Sequence, residues 1–344
     1  MKSVKRYSYV ILSLFFLWVP PVLGDSGPLV FSGKTMGTTY HIKIFPGSVL
    51  IPDALDVKIR QSLDAINQSM STFIPESEIS RFNTDHTAGK PFPVSQDFHK
   101  VMQTSEYVYR LTDGAWDGTV KPLVDLWGFG VPGVTTQPPA PEKLREAIKK
   151  VGFHRIEVSE KGYLVKKSAD VTLDLASIAK GYGVDRLASL LLECGIWNFL
   201  VEIGGEVFAS GKKSDGSRWR IGINEPNSGA PLDRVYKAVT LKDMALATSG
   251  NYRNFFEKGG IRYSHIIDPR TGYPVSNGVV SASVIAKTCA LADALATGLM
   301  VMGPEKGIEL VTWLESVECL IIVQKKDSTL QEFFSDGFFE AASD

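Results

Sequence analysis

The 344-residue chain is 44% apolar, 22% charged and 10% aromatic, with 31 Gly, 18 Pro and 3 Cys. Those values are ordinary for a globular protein and exclude a disordered chain, a collagen-like repeat and a disulfide scaffold. The 37 basic and 38 acidic residues nearly cancel, and nothing in that balance suggests a nucleic-acid binder, which calls for a basic face.

In chain order, residues 1–24 come first. Lys2, Lys5 and Arg6 precede an apolar run, Tyr9–Val19, which closes on Val22-Leu23-Gly24. A basic start, a short apolar middle and a small residue at the end form the pattern of a secretory signal. The run is far shorter than the ~20 residues of a spanning helix, although a retained membrane anchor is the competing reading. Removing the three cations leaves 34 basic against 38 acidic residues, a net charge near −4. No Cys stands near the cleavage point for lipid attachment, which favours a soluble periplasmic protein over a lipoprotein and leaves peripheral association with the inner membrane open. Cys194, Cys289 and Cys319 are odd in number and form no C-x-x-C pair, so they read as core thiols.

Thr38–Phe45 alternates like a strand. Asp56–Met70 and Ser95–Thr112 read as helices, the second capped by Ser95 and stopped by Asp113-Gly114. Asp113–Gly130 is an aromatic, Gly-rich turn able to hold a flat ring. Residues 128–152 form a Gly/Pro-rich loop and short helix, read as an insertion in one domain spanning 25–344. Strands are expected near Gly162–Lys166, Val171–Asp174, Phe199–Ala209, Trp219–Ile223 and Val279–Ala286. Helices are expected over Ser177–Glu193 and Cys289–Met302, the latter ended by Gly303-Pro304. Strands and helices do not alternate in clean βαβ units, so the fold class is α+β.

Nucleotide-loop, zinc-protease and nucleophile-elbow motifs are absent. Three segments carry candidate chemistry. In Thr288–Gly303 (TCALADALATGLMVMG) the helix is apolar almost all round, and Asp293 and Thr297 lie four apart on one face. Such a pair suits Mg²⁺, which takes one or two carboxylates and completes its shell with water and phosphate; it equally suits an Asp paired with a core Arg or Lys. In Thr172–Gly183 (TLDLASIAKGYG), Asp174 ends the extended run, Ser177 sits in the turn, and Lys180 lies in the first helical turn, where phosphate binds well. A capped helix with a surface lysine gives the same pattern. In Tyr263–Pro274 (YSHIIDPRTGYP), a tight turn presents His265, a general base or a structural histidine. His41, His86, His99 and His154 have no comparable setting.

Read together, the segments closely resemble the FAD:protein FMN transferases, the ApbE family. The match runs in order through Gly33–Thr38, Met70–Phe73, Ser80–Asn83, Trp116-Asp117 and Leu126–Gly130. It continues through Asp174, Ser177, Ala179–Gly181, Glu202–Gly205, Ala247–Gly250, His265–Gly272 and Ala292–Thr297, nearly the whole chain after residue 24. The resemblance implies a single T-fold-like domain with a mixed, mainly antiparallel sheet flanked by helices. It implies a Mg²⁺-dependent transfer of FMN from FAD to a threonine hydroxyl of a protein in an exported redox complex, with AMP leaving. By the same resemblance, Met36, Phe73, Ala115, Trp116, Asp117, Asp174, Lys180 and Ile266 match flavin-contacting positions. Ser177 (through its carbonyl), Asp293 and Thr297 match metal ligands, and His265 the base. An FAD pyrophosphatase and a non-catalytic flavin-binding protein are the alternative readings.

Overall fold

The computed structural model describes residues 27–130, 137–227, 229–231 and 234–339. Segment 1–24 and residues 131–136 of the Gly/Pro-rich loop lie outside them. The first half comprises β1 (Leu29–Thr35), β2 (Thr38–Ile44), α1 (Leu55–Met70), α2 (Glu78–Thr84), β3 (Pro91–Pro93), α3 (Gln96–Leu111), α4 (Lys121–Leu126) and α5 (Pro141–Ile148). Next come β4 (Ile156–Ser159), β5 (Tyr163–Lys166), α6 (Ala176–Glu193), β6 (Phe199–Ile203), β7 (Glu206–Ser210), β8 (Trp219–Asn224), β9 (Val235–Leu241) and β10 (Met244–Gly250). The chain continues with β11 (Phe255–Lys258), β12 (Ile261–Ser264), β13 (Val279–Ala286), α7 (Cys289–Met302), α8 (Pro304–Thr312), β14 (Glu318–Gln324) and β15 (Leu330–Phe334). Among the described residues no helix is long and apolar enough to cross a membrane.

Eight strands make one sheet in the order β1-β2-β6-β7-β10-β13-β14-β15, with every neighbouring pair antiparallel. Helices α6 and α7 pack on one face and the β8–β9 hairpin covers the other. This explains why β13 is buried at all eight positions. Val279, Ala282, Val284 and Ala286 join the helix-side core, whereas Val280 and Ile285 join the core under the hairpin. A strand covered on both faces reads as a continuous apolar run rather than an alternation. For the same reason α7 is apolar all round, since neighbouring helices and the sheet surround it.

Helices α6 and α7 approach closely because Gly181 has no side chain. A Cβ there would stand 2.3 Å from the Cys289 carbonyl oxygen. Asp185, one turn later, caps the start of α7: its Oδ1 accepts from Cys289 N–H (2.7 Å) and its Oδ2 from Ala290 N–H (2.9 Å). The glycine and the cap together fix the register of the two helices. Gly181→Ala is therefore expected to destabilise the fold by about 1–3 kcal/mol despite a helix-propensity gain of about 1 kcal/mol. Thermal melts check this, and an unchanged melting temperature contradicts the close-contact argument.

The expected helices Asp56–Met70, Ser95–Thr112 and Ser177–Glu193 are α1, α3 and α6, and Ser95 caps α3 by accepting from Phe98 N–H (3.2 Å). Two strand expectations need correction. Phe199–Ala209 is not one strand but the β6–β7 hairpin, because Gly204 and Gly205 both take positive φ (60° and 105°) and reverse the chain. Val171–Asp174 joins no ladder. Leu173 N–H donates to Asn83 Oδ1 (2.7 Å) and its carbonyl accepts from Asn83 Nδ2 (2.9 Å), so one side chain stands in for a neighbouring strand. The Asp113–Gly130 stretch also holds a short helix, α4. The cysteines are unpaired, with Cys289 and Cys319 buried and Cys194 half-buried.

Candidate active site

The β1–β2 hairpin turns through Met36 and Gly37, at φ of 48° and 73°. Two consecutive positive φ values make the turn that suits strand twist. A non-glycine residue pays about 1–3 kcal/mol for that conformation, a cost tolerated where a side chain must be aimed. The Met36 side chain reaches over Gly183 of α6, where a Cβ would come within 2.9 Å of Met36 Cε. Beside it opens a cleft of about 450 Å³, lined by Met36, Ile66, Asn67, Met70, Phe73, Asp174, Ala179 and Lys180 among others. Most of this lining is apolar. Phe73, 75% exposed, stands at the rim.

Lys180 links this cleft to the corner between α6 and α7. Its Nζ donates to Glu206 Oε1 (2.7 Å) and lies 3.8 Å from Asp293 Oδ1. Burial alone would lower the Lys180 pKa, but Asp293 and Glu206 outweigh it and keep the ammonium charged. Burial likewise pushes the Asp293 carboxyl up, opposed by Lys180 and by Gly181 N–H, which donates to Asp293 Oδ2 (3.0 Å). Glu206 is also raised by burial, and among the described residues its Oε2 has no hydrogen-bond partner. One cation thus faces two buried carboxylates. Thr297 presents its hydroxyl on the Asp293 face of α7, 2.8 Å from Ser249 Oγ.

Ser177 interrupts α6 with non-helical angles (φ −90°, ψ 15°). Gly181 N–H, which a regular helix would aim at the Ser177 carbonyl, reaches Asp293 instead of serving the helix alone. That weakens the helix's own claim on this carbonyl oxygen. The Ser177 hydroxyl accepts from Trp116 Nε1–H (2.9 Å).

The Ala115-Trp116-Asp117 turn meets this corner differently from the sequence expectation. All three side chains are buried. The Asp117 carboxylate is taken up by Thr119 N–H, Thr119 Oγ1–H and Phe153 N–H, so only the backbone of the turn remains for a ligand. That backbone is tied to the cleft, because Asp174 N–H donates to the Gly118 carbonyl (2.8 Å). Burial raises the half-buried Asp174, whose Oδ1 accepts from Ala176 N–H (2.9 Å). Ile266 is also buried and packs into the main core rather than lining the cleft.

His265 follows β12. Its backbone N–H and its Nδ1 both bond the Asn254 carbonyl at 3.1 Å. A carbonyl only accepts, so Nδ1 carries the hydrogen and Nε2 is left as the basic nitrogen. Phe129 meets the ring edge-on, 6.4 Å between centroids. Desolvation lowers the His265 pKa below its ordinary 6.5, the Asn254 bond pulls it back, and the charge of Lys180 lowers it further. The imidazole is therefore neutral near pH 7.

The ApbE family model matches residues 36–321. The chain belongs to the ApbE family. A curated Vibrio cholerae relative, an FAD:protein FMN transferase, is 44% identical over 309 residues, covering 89% of this chain and 90% of the relative. The FAD:protein FMN transferase of Escherichia coli K12 is 40% identical over 335 residues, 95% of this chain and 94% of that one. The solved flavin transferase ApbE of Vibrio cholerae superposes with a TM-score of 0.82 at 40% identity, covering 91% of this chain and 99% of that one.

The sequence resemblance implies Mg²⁺, and the oxygen donors at the α6–α7 corner are of a kind that suits such an ion. Among the described residues no three His, Cys, Asp or Glu side chains form a ready-made cage. That excludes a closed all-carboxylate site but not a Mg²⁺ held by few protein oxygens plus phosphate. Among the described residues Asp293 Oδ1 makes no contact with a donor shorter than the 3.8 Å approach of Lys180, the Thr297 hydroxyl shares its face, and the kinked Ser177 offers a carbonyl. Sequence reading missed Glu206, although it directly follows the Glu202–Gly205 segment. It also missed Asn67, which nothing in the helical periodicity of α1 singled out.

Proposed function

We propose that this chain transfers FMN from FAD to a threonine hydroxyl of a target protein, releasing AMP. The observation that carries this is the pairing of Lys180 with an under-compensated Asp293 beside an apolar cleft in an ApbE-family chain. The threonine oxygen attacks the phosphorus of the FMN half, the bond to the AMP oxygen breaks, and the hydroxyl proton passes to His265 Nε2. Such transfers depend on positioning and on neutralising phosphate charge. Lys180 supplies a fixed positive charge, kept in place by Glu206. Asp293, Thr297 and the Ser177 carbonyl would hold Mg²⁺, which when bound offsets phosphate charge. Met36 and Phe73 would sandwich the flavin, and Asp174 would accept from a donor of the adenine base.

Incubating the protein with FAD, Mg²⁺ and a candidate acceptor domain tests the proposal by mass. An FMN-sized gain on the acceptor is the expected result. AMP with free FMN indicates a pyrophosphatase, and unchanged FAD a binding protein. The neutral His265 also fixes a pH dependence. Its base form persists into mildly acidic solution, so the acid limb of kcat/KM is expected to fall below pH 6.5. A midpoint at or above pH 7 contradicts the assignment.

Residues 1–24 support a further reading, that the protein is exported to the periplasm and starts near Asp25. N-terminal sequencing of the exported form is expected to show that start. A chain beginning at Met1, or one carrying an acyl mass, overturns it.

A further inference from the structure

Asn67 lies on α1 against the β1–β2 hairpin. Its Nδ2 donates to Thr35 Oγ1 (3.1 Å) and to the Leu63 carbonyl (3.0 Å). Because a backbone carbonyl can only accept, the atom facing Leu63 must be the nitrogen, and the amide has one orientation. Both amide hydrogens are thereby used. Asn67 Oδ1 takes no hydrogen bond from the protein among the described residues, yet Asn67 lines the cleft. What this side chain offers a ligand is an acceptor and nothing else.

Two of the other polar groups lining the cleft have partners within the protein. Asp174 Oδ1 accepts from Ala176 N–H, and Lys180 is drawn to Glu206 and Asp293. Around Asn67 the lining is Met36, Ile66, Met70 and Phe73, the surroundings of an extended apolar ring with one polar edge. Isoalloxazine is such a ring: a dimethylbenzene at one end and an imide whose N3–H is a hydrogen-bond donor at the other. A buried acceptor rejects an analogue that cannot donate to it, because the oxygen is then desolvated without a partner.

We propose that Asn67 Oδ1 accepts a hydrogen bond from the imide N3–H of the FAD isoalloxazine and so determines specificity for the flavin ring. This rests on the reading of the chain as an FAD-using FMN transferase. It also gives the two donor bonds of Asn67 a purpose. They lock the amide in the acceptor-out orientation and tie it to Thr35, next to Met36 on the other wall of the cleft.

The test is equilibrium binding of the full chain to FAD and to 3-methyl-FAD, in which a methyl group replaces the N3 hydrogen, followed by flavin fluorescence. Wild type is expected to bind 3-methyl-FAD about tenfold more weakly, the ratio that one lost hydrogen bond with a stranded acceptor supports. Asn67→Leu removes the acceptor and is expected to bind both flavins with similar, weakened affinity. Asn67→Asp keeps an acceptor and is expected to retain the preference for FAD. If Asn67 is only a structural tether between α1 and the hairpin, Asn67→Leu weakens both flavins equally and leaves their ratio at the wild-type value, which overturns the proposal. Equal binding of both flavins by wild type overturns it without any variant. A third ligand, FAD dimethylated on the adenine amino group, covers the other ring donor of the substrate. If Asn67→Leu erases discrimination against that ligand instead, the cleft reads adenine and the isoalloxazine assignment falls. Absence of FAD binding by wild type overturns the FMN-transferase reading itself, a result distinct from all of these.

Discussion

Asp293→Ala is expected to lower FMN transfer by at least about 10³-fold, since a bound metal supplies several kcal/mol of charge stabilisation and each 1.36 kcal/mol is worth tenfold. The same variant makes an independent forecast for stability. Asp293 is only 3% exposed, and its partners are one backbone N–H and a lysine 3.8 Å away that is bonded more closely to Glu206. Removing the carboxylate strands the Gly181 donor, at about 1–3 kcal/mol. It also relieves the desolvation of a poorly compensated charge, which offsets that loss. In EDTA the variant should therefore melt close to wild type, while in Mg²⁺ only wild type gains stability. A purely structural ion pair predicts a loss of about 3–5 kcal/mol on breaking it. An Asp293→Ala variant that is markedly destabilised in EDTA yet transfers FMN at ordinary Mg²⁺ contradicts the metal assignment.

His265→Ala is expected to slow transfer by about 10²–10⁴-fold with little change in FAD affinity, the range for a lost general base. The geometry favours this over a structural role. Among the described residues the ring bonds only the Asn254 carbonyl, through Nδ1, and Nε2 has no partner. The backbone N–H of His265 reaches the same carbonyl and survives the substitution, so the β12 end keeps its anchor. Transfer kinetics with FAD titrations on the same preparation check both parts. Near-normal transfer returns His265 to a structural role, and a parallel collapse of FAD binding points to a disordered loop.

The parts of this molecule that sequence patterns made legible are those with a single environment. Val279–Ala286 and Cys289–Met302 appear at their predicted boundaries because each is surrounded by apolar neighbours, and a continuous apolar run has few other uses. Lys180 and Asp293 were legible singly, as a lysine at a helix start and a lone carboxylate in an apolar helix. Their shared corner was not, because contacts more than 100 residues apart leave no local spacing. Glu206 and Asp185, both needed to hold that corner, carry no periodic signal for the same reason. The partner strand β11 of the hairpin that presents His265 went unread, since much of Phe255–Ser264 is solvent-facing and lacks clean alternation.

Trp116 and Asp117 show the converse. Their aromatic, Gly-rich setting fits a ring-holding turn, but the deciding contacts, Ser177 Oγ for the indole and Phe153 N–H for the carboxylate, lie 61 and 36 residues away. Only the backbone of that turn is left for a ligand, and no feature of the sequence distinguishes a side-chain contact from a backbone one.

The most direct test of the central claim is a crystal structure of the protein with FAD and Mg²⁺. The account predicts the isoalloxazine between Met36 and Phe73 in the α1–α6 cleft and the pyrophosphate against Lys180. It places the metal on Asp293, Thr297 and the Ser177 carbonyl, with His265 Nε2 facing the FMN phosphorus. A flavin bound outside that cleft, or a metal that does not touch Asp293, would contradict it.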